Sequence, residues 1–471
     1  MSIKNIIPQK IKNIYHLGQA ILANFIYGFP GRKIKIIGVT GTNGKTTTVW
    51  MIGKILEEAG FKVAINSTIN FQIGVKEWVN KTKFTTLSSF SVQKFIKEAV
   101  REKCDYLVLE TSSHSLDQFR VWGIPYAVAV ITNVTREHLD YHETMAEYRK
   151  AKLKLFKKAG TIVVNLDMEK SEEFLNFAAD KKYGYTTKNQ NVNLKMQNDP
   201  LRQSFSEASN EKLKIITAEN IEMGINYSNY QLQTTSYKLN LPGKFNIENA
   251  LAATCVGLSQ NISLETIGKA PEKIKGIPGR MEWVLNNKGL NIIIDYAVTP
   301  DSLEKLYQLI SQIKNPLPLK KGDVRRTEGF EKQSENFKSS PNPSFSKGGE
   351  HKVIAVFGAC GERDRGKRPI MGEIVARYAD YIFITNEDPY NEDPQRIIEE
   401  VFSGVIKYKK ESIDCWKVLD RREAIRKALQ LAQPGDFVII TGKGAEETMA
   451  IGKDRIPWKE KTVIEEELAK L

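Results

Sequence analysis

The 471 residues are enough for two to four domains at roughly 100–200 residues each. With 41% hydrophobic and 27% charged residues, the chain is not disordered overall, collagenous or a membrane bundle. Lys and Arg total 69 against 56 Asp and Glu, and the net +13 suits an anionic partner such as a nucleotide or a phosphorylated substrate. Nucleic acid is not expected, because the basic and acidic residues are mixed along most of the chain and form no patch.

Lys4, Lys10 and Lys12 precede an apolar stretch over 14–27 that Gln19 and Asn24 interrupt. The stretch is short of the roughly 20 apolar residues that span a bilayer. No small-residue cleavage site follows before Pro30. It predicts an amphipathic helix packed on the body, without stable membrane insertion; a peripheral membrane contact is the lesser alternative. Residues 33–39 (KIKIIGV) read as a buried strand, and a helical pattern runs from 45 to about 59, where Gly60 stops it. Further strand-like runs fall at 62–65, 106–109, 127–131 and 161–164, with helical patterns at 91–102 and 145–158. This alternation predicts a parallel sheet covered by helices on both faces. Residues 189–241 are polar and patchy and predict an antiparallel excursion; 245–258 return to a helical pattern.

A domain boundary is expected near 275–279. Beyond it, a strand at 290–294 ends in Asp295 and opens a second series at 353–357, 381–384 and 437–441. Helices are expected at about 372–378, 394–403 and 421–431. Residues 315–350, rich in Pro, Lys, Ser, Gly and Asn, read as a disordered insertion, and deleting 316–346 is expected to leave the fold intact. The four cysteines, Cys104, Cys255, Cys360 and Cys415, are far apart and form no CxxC pair. Reduced thiols and a cytoplasmic location are expected.

Between the first strand and its helix stands Gly38-Val-Thr-Gly41-Thr42-Asn43-Gly44-Lys45-Thr46-Thr47-Thr48. Glycines let backbone N–H groups close around phosphate oxygens, and a helix N-terminus adds positive potential. Lys45 is expected on the β- and γ-phosphates and Thr46 on Mg²⁺. Gly38 lies one residue too early for the common P-loop spacing. The fold class expected is α/β: a short helical segment (1–34), a central P-loop ATPase domain with a mostly parallel sheet (35–277), and a C-terminal Rossmann-like domain (278–471).

A phosphate loop alone fits motors, GTPases, kinases and ligases. Four segments in order discriminate: 41–48 (GTNGKTTT), 110–121 (ETSSHSLDQFRV), 132–142 (TNVTREHLDYH) and 151–156 (AKLKLF). Together with 243–253 (GKFNIENALAA), 279–282 (GRME), 295–300, 358–372 and 441–446, they resemble the Mur ligases, ATP-dependent enzymes that build the peptidoglycan stem peptide. The likeness is strongest to the branch that adds the third residue, the UDP-N-acetylmuramoyl-tripeptide synthetases. It implies ATP and Mg²⁺, a UDP-linked muramoyl dipeptide and a free amino acid. The reaction implied passes the γ-phosphate to a substrate carboxylate, and an amine then attacks the acyl phosphate.

The resemblance also implies residue roles. Gly41, Thr42, Asn43, Gly44, Lys45, Thr46 and Thr47 would cradle ATP, with Asn246 and Asn249 near the adenine. Capping of the helix by these two Asn side chains is the plainer reading. Glu110 would bind metal beside Thr46, and His138 a second metal. Lys152 would be carbamylated, which turns a cation into an anionic ligand and needs a neutral amine, whereas an ordinary Lys has a pKa of about 10.4. His142 is left as structural. Thr85, Thr86, Ser112, Gln118 and Arg120 would hold the acyl-glutamate end of the acceptor. Arg280 and Asp295 look like residues that close the C-terminal domain over ATP. Arg363 would meet the amino acid's carboxylate, Glu387-Asp388-Pro389-Tyr390 takes the place of the specificity motif, and Gly442 with Glu446 completes the pocket.

Several positions depart from the family pattern. Val298 and Ala445 stand where the family usually has His. Diaminopimelate-adding members usually carry Arg where this chain has Tyr390, so L-lysine is expected ahead of meso-diaminopimelate. About 34 residues precede the first strand, too few for the family's uridine-diphosphate-binding domain. Three alternatives are left open: the remaining two domains hold the nucleotide sugar, a partner supplies that domain, or the acceptor is a different one. Two rival readings therefore stand: a ligase acting on a folylpolyglutamate-type or amino-acid-polymer acceptor, and a nucleotide-binding regulator that has lost catalysis.

Overall fold

In the computed structural model, which describes residues 8–82, 84–188, 213–314 and 351–471, the chain divides into the units Met1–Pro278 and Gly279–Leu471. Unit 1 opens with α1 (Gln9–Tyr27), closed by Gly28 at φ 71°, where the Phe29 N–H reaches back to Asn24 O at 2.9 Å. β1 (Lys35–Thr40), the glycine-rich turn and α2 (Lys45–Glu58) follow. Next come β2 (Val63–Asn66), β3 (Asn70–Ile73), β4 (Lys76–Val79), α3 (Ser89–Arg101), β5 (Tyr106–Glu110), α4 (Ser113–Asp117) and β6 (Tyr126–Ile131). α5 (Leu139–His142), α6 (Met145–Leu153), β7 (Thr161–Asn165), α7 (Glu172–Leu175) and β8 (Lys181–Thr186) continue the alternation. β9 (Lys214–Thr217), β10 (Glu219–Met223), β11 (Ser228–Leu232), β12 (Thr235–Leu239), α8 (Lys244–Ser259) and α9 (Leu264–Glu272) complete the unit.

Nine strands form one sheet in the order β4-β3-β2-β5-β1-β6-β7-β8-β9, parallel except for the β2–β3–β4 meander at one edge. Both faces are covered, so the central strands are almost wholly apolar. On one face Ile36, Leu107, Leu109, Ala129 and Ile131 pack with Phe95 and Ile96 of α3 and with Phe156. On the other, Ile37, Val39, Val108, Val128 and Val130 pack with Ile52 and Ile55 of α2 and Leu251 of α8. α1 lies on α3 through Ala20, Ala23 and Asn24, all buried, and Asn24 donates to Trp122 O at 2.9 Å.

Some local expectations shift. α6 ends at Leu153, short of 158, because the next residues turn inward: Leu155 and Phe156 are buried. The β3–β4 meander was not expected, since its Asn70 and Gln72 look like loop residues. Both are buried and bonded, Asn70 Oδ1 accepting from Trp50 Nε1 at 3.0 Å and Gln72 donating to Gly74 O at 2.8 Å. Within 189–241, β10–β12 do form an antiparallel sheet, but β9 joins the main sheet parallel to β8. Residues 189–212 and the insertion at 315–350 lie outside the described residues.

Unit 2 runs through β13 (Glu282–Val284), β14 (Asn291–Asp295), α10 (Pro300–Lys314), β15 (Val353–Phe357), α11 (Lys367–Tyr378), β16 (Tyr381–Thr385) and α12 (Pro394–Val405). β17 (Cys415–Val418), α13 (Arg421–Leu431), β18 (Phe437–Thr441), β19 (Thr448–Ile451), β20 (Asp454–Pro457) and α14 (Glu460–Leu468) follow. Its six-stranded sheet has the order β13-β14-β18-β15-β16-β17, parallel except for β13. The carboxyl ends of β14, β18, β15 and β16 therefore lie side by side, the edge where open α/β sheets bind ligands. The buried Arg421 at the start of α13 pairs with the buried Glu460 at the start of α14. All four cysteines are free, with Cys104, Cys255 and Cys415 buried.

Candidate active site

The phosphate loop leaves the end of β1, where the strand order turns between β5 and β6. Gly44 has φ 83°, and a Cβ there would collide with Asn249 Oδ1, so only glycine lets α8 approach the loop. A Cβ on Gly41 would likewise strike Thr132 Oγ1. The loop is braced from β6: the Thr42 N–H donates to Asn133 O at 2.9 Å, and the Asn43 N–H to Asn133 Oδ1 at 2.9 Å. Lys45 folds over it, Nζ donating to Gly41 O at 3.1 Å and Thr42 O at 2.9 Å. Thr47 is buried in the first turn of α2.

Thr46 Oγ1 donates to Glu110 Oε2 at 3.0 Å. The Glu110 carboxylate is 1% exposed and is also held by Thr68, through its N–H at 2.8 Å and its hydroxyl at 2.8 Å. A hydroxyl and a carboxylate so placed at a phosphate loop are hard oxygen donors of the kind Mg²⁺ takes, so these residues fit the ion. Among the described residues no three His, Cys, Asp or Glu side chains converge as a metal cluster. Such an ion would therefore need oxygens beyond these side chains.

Lys152 comes to the same loop from α6. It is 1% exposed and donates to Gly41 O at 2.8 Å, with Nζ 4.4 Å from the Tyr148 ring centroid. Burial pushes its pKa well below the usual lysine value; the nearby Lys45 charge adds to this and Glu137 opposes it. His138 has φ 58°, and its ring lies 6.0 Å from that of Tyr148 and 4.6 Å from that of His114. His142 donates to or accepts from Ser113 Oγ at 3.0 Å, and burial lowers its pKa to about 4, so it is a neutral packed imidazole.

Of the residues expected on the acceptor side, Thr86, Ser112 and Arg120 come together, and Thr85 meets Thr68. Thr85 Oγ1 lies 3.2 Å from Thr68 Oγ1, which accepts from it because the Thr68 hydroxyl proton is given to Glu110. Thr86 Oγ1 donates to Glu110 O at 3.0 Å and accepts from the Ser112 N–H at 2.9 Å. Arg120 Nη1 donates to Thr86 O at 2.7 Å, while its buried Nε has no hydrogen-bond partner among the described residues. Gln118 ends α4 at partial exposure. Asn249 Oδ1 accepts from Thr48 Oγ1 at 3.2 Å, and Asn246 Nδ2 donates to Pro242 O at 2.7 Å. Neither Asn caps α8, whose N-cap is Gly243.

In unit 2, Asp295 ends β14 and accepts from the Met281 N–H at 2.8 Å; burial raises its pKa and the Arg280 charge opposes that. Arg280 lies over the Tyr296 ring at 4.4 Å. Lys443, 0% exposed, is the residue the sequence reading missed: its Nζ bonds Asp388 Oδ1 at 2.8 Å and Glu446 Oε2 at 2.5 Å. Its only sequence signal was its place between Gly442 and Gly444. Glu387 is 5% exposed, with Oε2 unbonded among the described residues and 2.7 Å from where a Gly442 Cβ would stand. Burial and then the Asp388 charge raise its carboxyl to about 7. Pro389 closes on Gly361, where a Cβ would strike Pro389 O. Tyr390, at φ 51°, is pinned to the β19–β20 hairpin through the Gly452 N–H, which donates to its carbonyl at 2.7 Å. Two guanidinium groups stand over its ring, Arg455 at 5.1 Å and the exposed Arg363 at 6.0 Å. Lys367 donates to Val298 O at 2.9 Å, so this position reaches its neighbour by backbone.

An α/β unit with a glycine-rich loop and a carboxylate beside it, followed in the chain by a second parallel α/β unit, fits an ATP-dependent ligase. Residues 39–257 match the Mur ligase middle domain and residues 344–444 the Mur ligase glutamate ligase domain. The chain belongs to the Mur ligases and is an ATP-dependent, ADP-forming ligase. It is 36% identical to the UDP-N-acetylmuramoyl-L-alanyl-D-glutamate--2,6-diaminopimelate ligase of Clostridium botulinum, over 95% of this chain and 80% of that one. A solved structure titled as the same ligase covers 93% of this chain and 78% of its own at 26% identity, with a TM-score of 0.53. Folylpolyglutamate synthase of Mycobacterium tuberculosis shares the fold at 16% identity, with a TM-score of 0.61 over 90% of this chain and 92% of that one.

Proposed function

We propose that this chain is a cytoplasmic amide ligase of peptidoglycan precursor synthesis that joins 2,6-diaminopimelate to UDP-N-acetylmuramoyl-L-alanyl-D-glutamate. The observation that carries the reading is buried Lys152 donating to Gly41 O, on the loop whose Thr46 meets Glu110. Bound MgATP would supply the phosphoryl group that activates the acceptor's carboxylate as an acyl phosphate, from which the incoming amine displaces phosphate to leave an amide. Lys45 and the N–H groups of the loop would hold the phosphates. Thr46 and Glu110 would hold Mg²⁺, and His138 with Lys152, carbamylated, a second ion. The buried Lys152 amine favours the neutral form that CO₂ requires, and the carbamate forms with release of one proton. Asn246 and Asn249 would bound the nucleotide side of the loop. Thr85, Thr86, Ser112, Gln118 and Arg120 would hold the acceptor's acyl-glutamate end, Arg120 as the cation for its carboxylate.

In unit 2, Arg280 and Asp295 would serve the nucleotide, and Glu387, Asp388, Pro389, Gly442 and Glu446 would line the amino-acid pocket. Tyr390 cannot form an ion pair with a distal carboxylate, which favours L-lysine. Arg455 and Arg363 over its ring favour a diacid, and so do the names of the relatives. We therefore take diaminopimelate as the amino acid, with Arg455 supplying the second cation. The test mixes protein, ATP, Mg²⁺ and the UDP-linked dipeptide separately with L-lysine, meso-diaminopimelate and L-ornithine, and reads products by mass spectrometry. A tripeptide with diaminopimelate, lost in Lys45→Ala, is expected. No product with any amino acid, in protein that binds ATP, would overturn the acceptor assignment.

A further inference from the structure

The outward face of α1 has no role in the site just described. At 3.6 residues per turn, Ile11, Ile14, Tyr15, Gly18, Leu22, Phe25 and Ile26 fall on one stripe covering about a third of the helix circumference. Each of the six large side chains is more than half exposed, and no polar residue interrupts the stripe. The opposite face is the one α1 buries, through Ala20, Ala23 and Asn24. A surface helix ordinarily turns its apolar stripe to the core; α1 turns it to solvent.

We propose that α1 docks this protein onto an anionic lipid bilayer, lying in the plane of the interface with the stripe among the acyl chains. The charge around the stripe selects that occupant. Arg32 stands 4.7 Å from the Phe29 ring, which packs edge-on against Phe25 at 5.2 Å, so a guanidinium flanks the C-terminal end of the stripe. Lys97 of α3 lies 5.7 Å from the Tyr27 ring, and α3 exposes Lys94 and Arg101 beside it against the single Glu98. No Asp or Glu precedes Glu57 in the sequence, while Lys and Arg recur through the same stretch. The carboxylate that touches α1, Asp117 on Asn13, is neutralised by Lys154 at 2.6 Å. A second copy docked by symmetry would set these cations against their own images, with nothing acidic on α1 to offset them. Anionic headgroups meet the cations and the acyl layer takes the stripe. No helix among the described residues is long and apolar enough to cross a membrane, so the contact is peripheral.

The test floats the full chain with vesicles of 30% phosphatidylglycerol in phosphatidylcholine, and with phosphatidylcholine alone. The wild type is expected on the anionic vesicles at least tenfold above the neutral ones, with most of the binding lost in high salt. Leu22→Glu/Phe25→Glu should abolish flotation, and Arg32→Glu/Lys97→Glu should weaken it tenfold or more. Thermal melting of each variant within a degree or two of wild type shows that the fold is kept. Equal flotation on both lipids, or none on either, overturns the proposal. So does a dimer in ultracentrifugation that Leu22→Glu dissociates while the wild type ignores vesicles.

Discussion

Lys152 occupies a place where an ammonium is costly: buried, with Lys45 beside it and a carbonyl and an aromatic ring as its contacts. If the carbamate is what makes the site tolerable, Lys152→Arg, which keeps the cation but cannot take up CO₂, should lower kcat by about 10²-fold or more. Carbon NMR with labelled bicarbonate should show a carbamate signal in the wild type and none in the variant; a signal that persists in Lys152→Arg would place the modification elsewhere. Glu387 makes a separate point about pH. Its carboxyl is held up to about 7 in the fold, against an ordinary 4.5. Between those values the unfolded chain has lost a proton that the folded chain keeps, so this residue lowers stability as pH rises through that window. Glu387→Gln should remove a penalty of at most about 3 kcal/mol above pH 7 and change little at pH 4. Parallel melting profiles for the two proteins from pH 4 to 8 would refute it. The residue types at both positions were legible in the sequence from their motifs. Their burial was not, because it depends on Gly41 and Gly442 arriving from elsewhere in the chain.

At the scale of elements, α13 and α14 are joined at their first turns by Arg421 and Glu460, both fully buried, with Arg421 also donating to Thr441 O at 2.7 Å. Removing one charge strands the other, so Glu460→Gln should cost about 3–5 kcal/mol in urea unfolding with an unchanged m-value. Arg421→Met/Glu460→Leu should recover part of the loss; a double variant worse than the single would argue against stranding as the cause. Periodicity exposed the central strands and their covering helices, since Ile36 and Ile37 or Leu107 and Val108 feed opposite faces of a fully covered sheet. It did not expose β3 and β4, whose buried Asn70 and Gln72 are satisfied by partners that sequence spacing does not reveal. The end of α6 was misjudged for a related reason: Leu155 and Phe156 continue an apolar pattern but reach the core from a turn.

At the scale of the whole molecule, unit 2 brings chain positions as far apart as Asp295 and Thr441 side by side, because adjacent parallel strands end on one edge. Glycine approaches there and at the phosphate loop set the spacing, and those glycines were the strongest sequence signals of both sites. Arg455 was invisible by the same measure, since it belongs to no motif and meets Tyr390 only because the β19–β20 hairpin is pinned to that residue. Arg455→Ala should raise KM for meso-diaminopimelate about tenfold or more, a loss of about 1.4 kcal/mol or greater, while KM for L-lysine stays level. An equal change for both amino acids would make Arg455 a structural residue of the hairpin.

The thiols carry a consequence for handling this protein. Cys104, Cys255 and Cys415 are enclosed, and burial raises the pKa of all four cysteines, Cys360 and Cys415 to about 12. Thiolate, not thiol, is what reacts with maleimides and peroxides, so the three enclosed thiols are a nearly silent background for both and the partly exposed Cys360 is the one that reacts first. A reporter cysteine placed on an exposed helix could then be dye-labelled after the replacement of Cys360 alone.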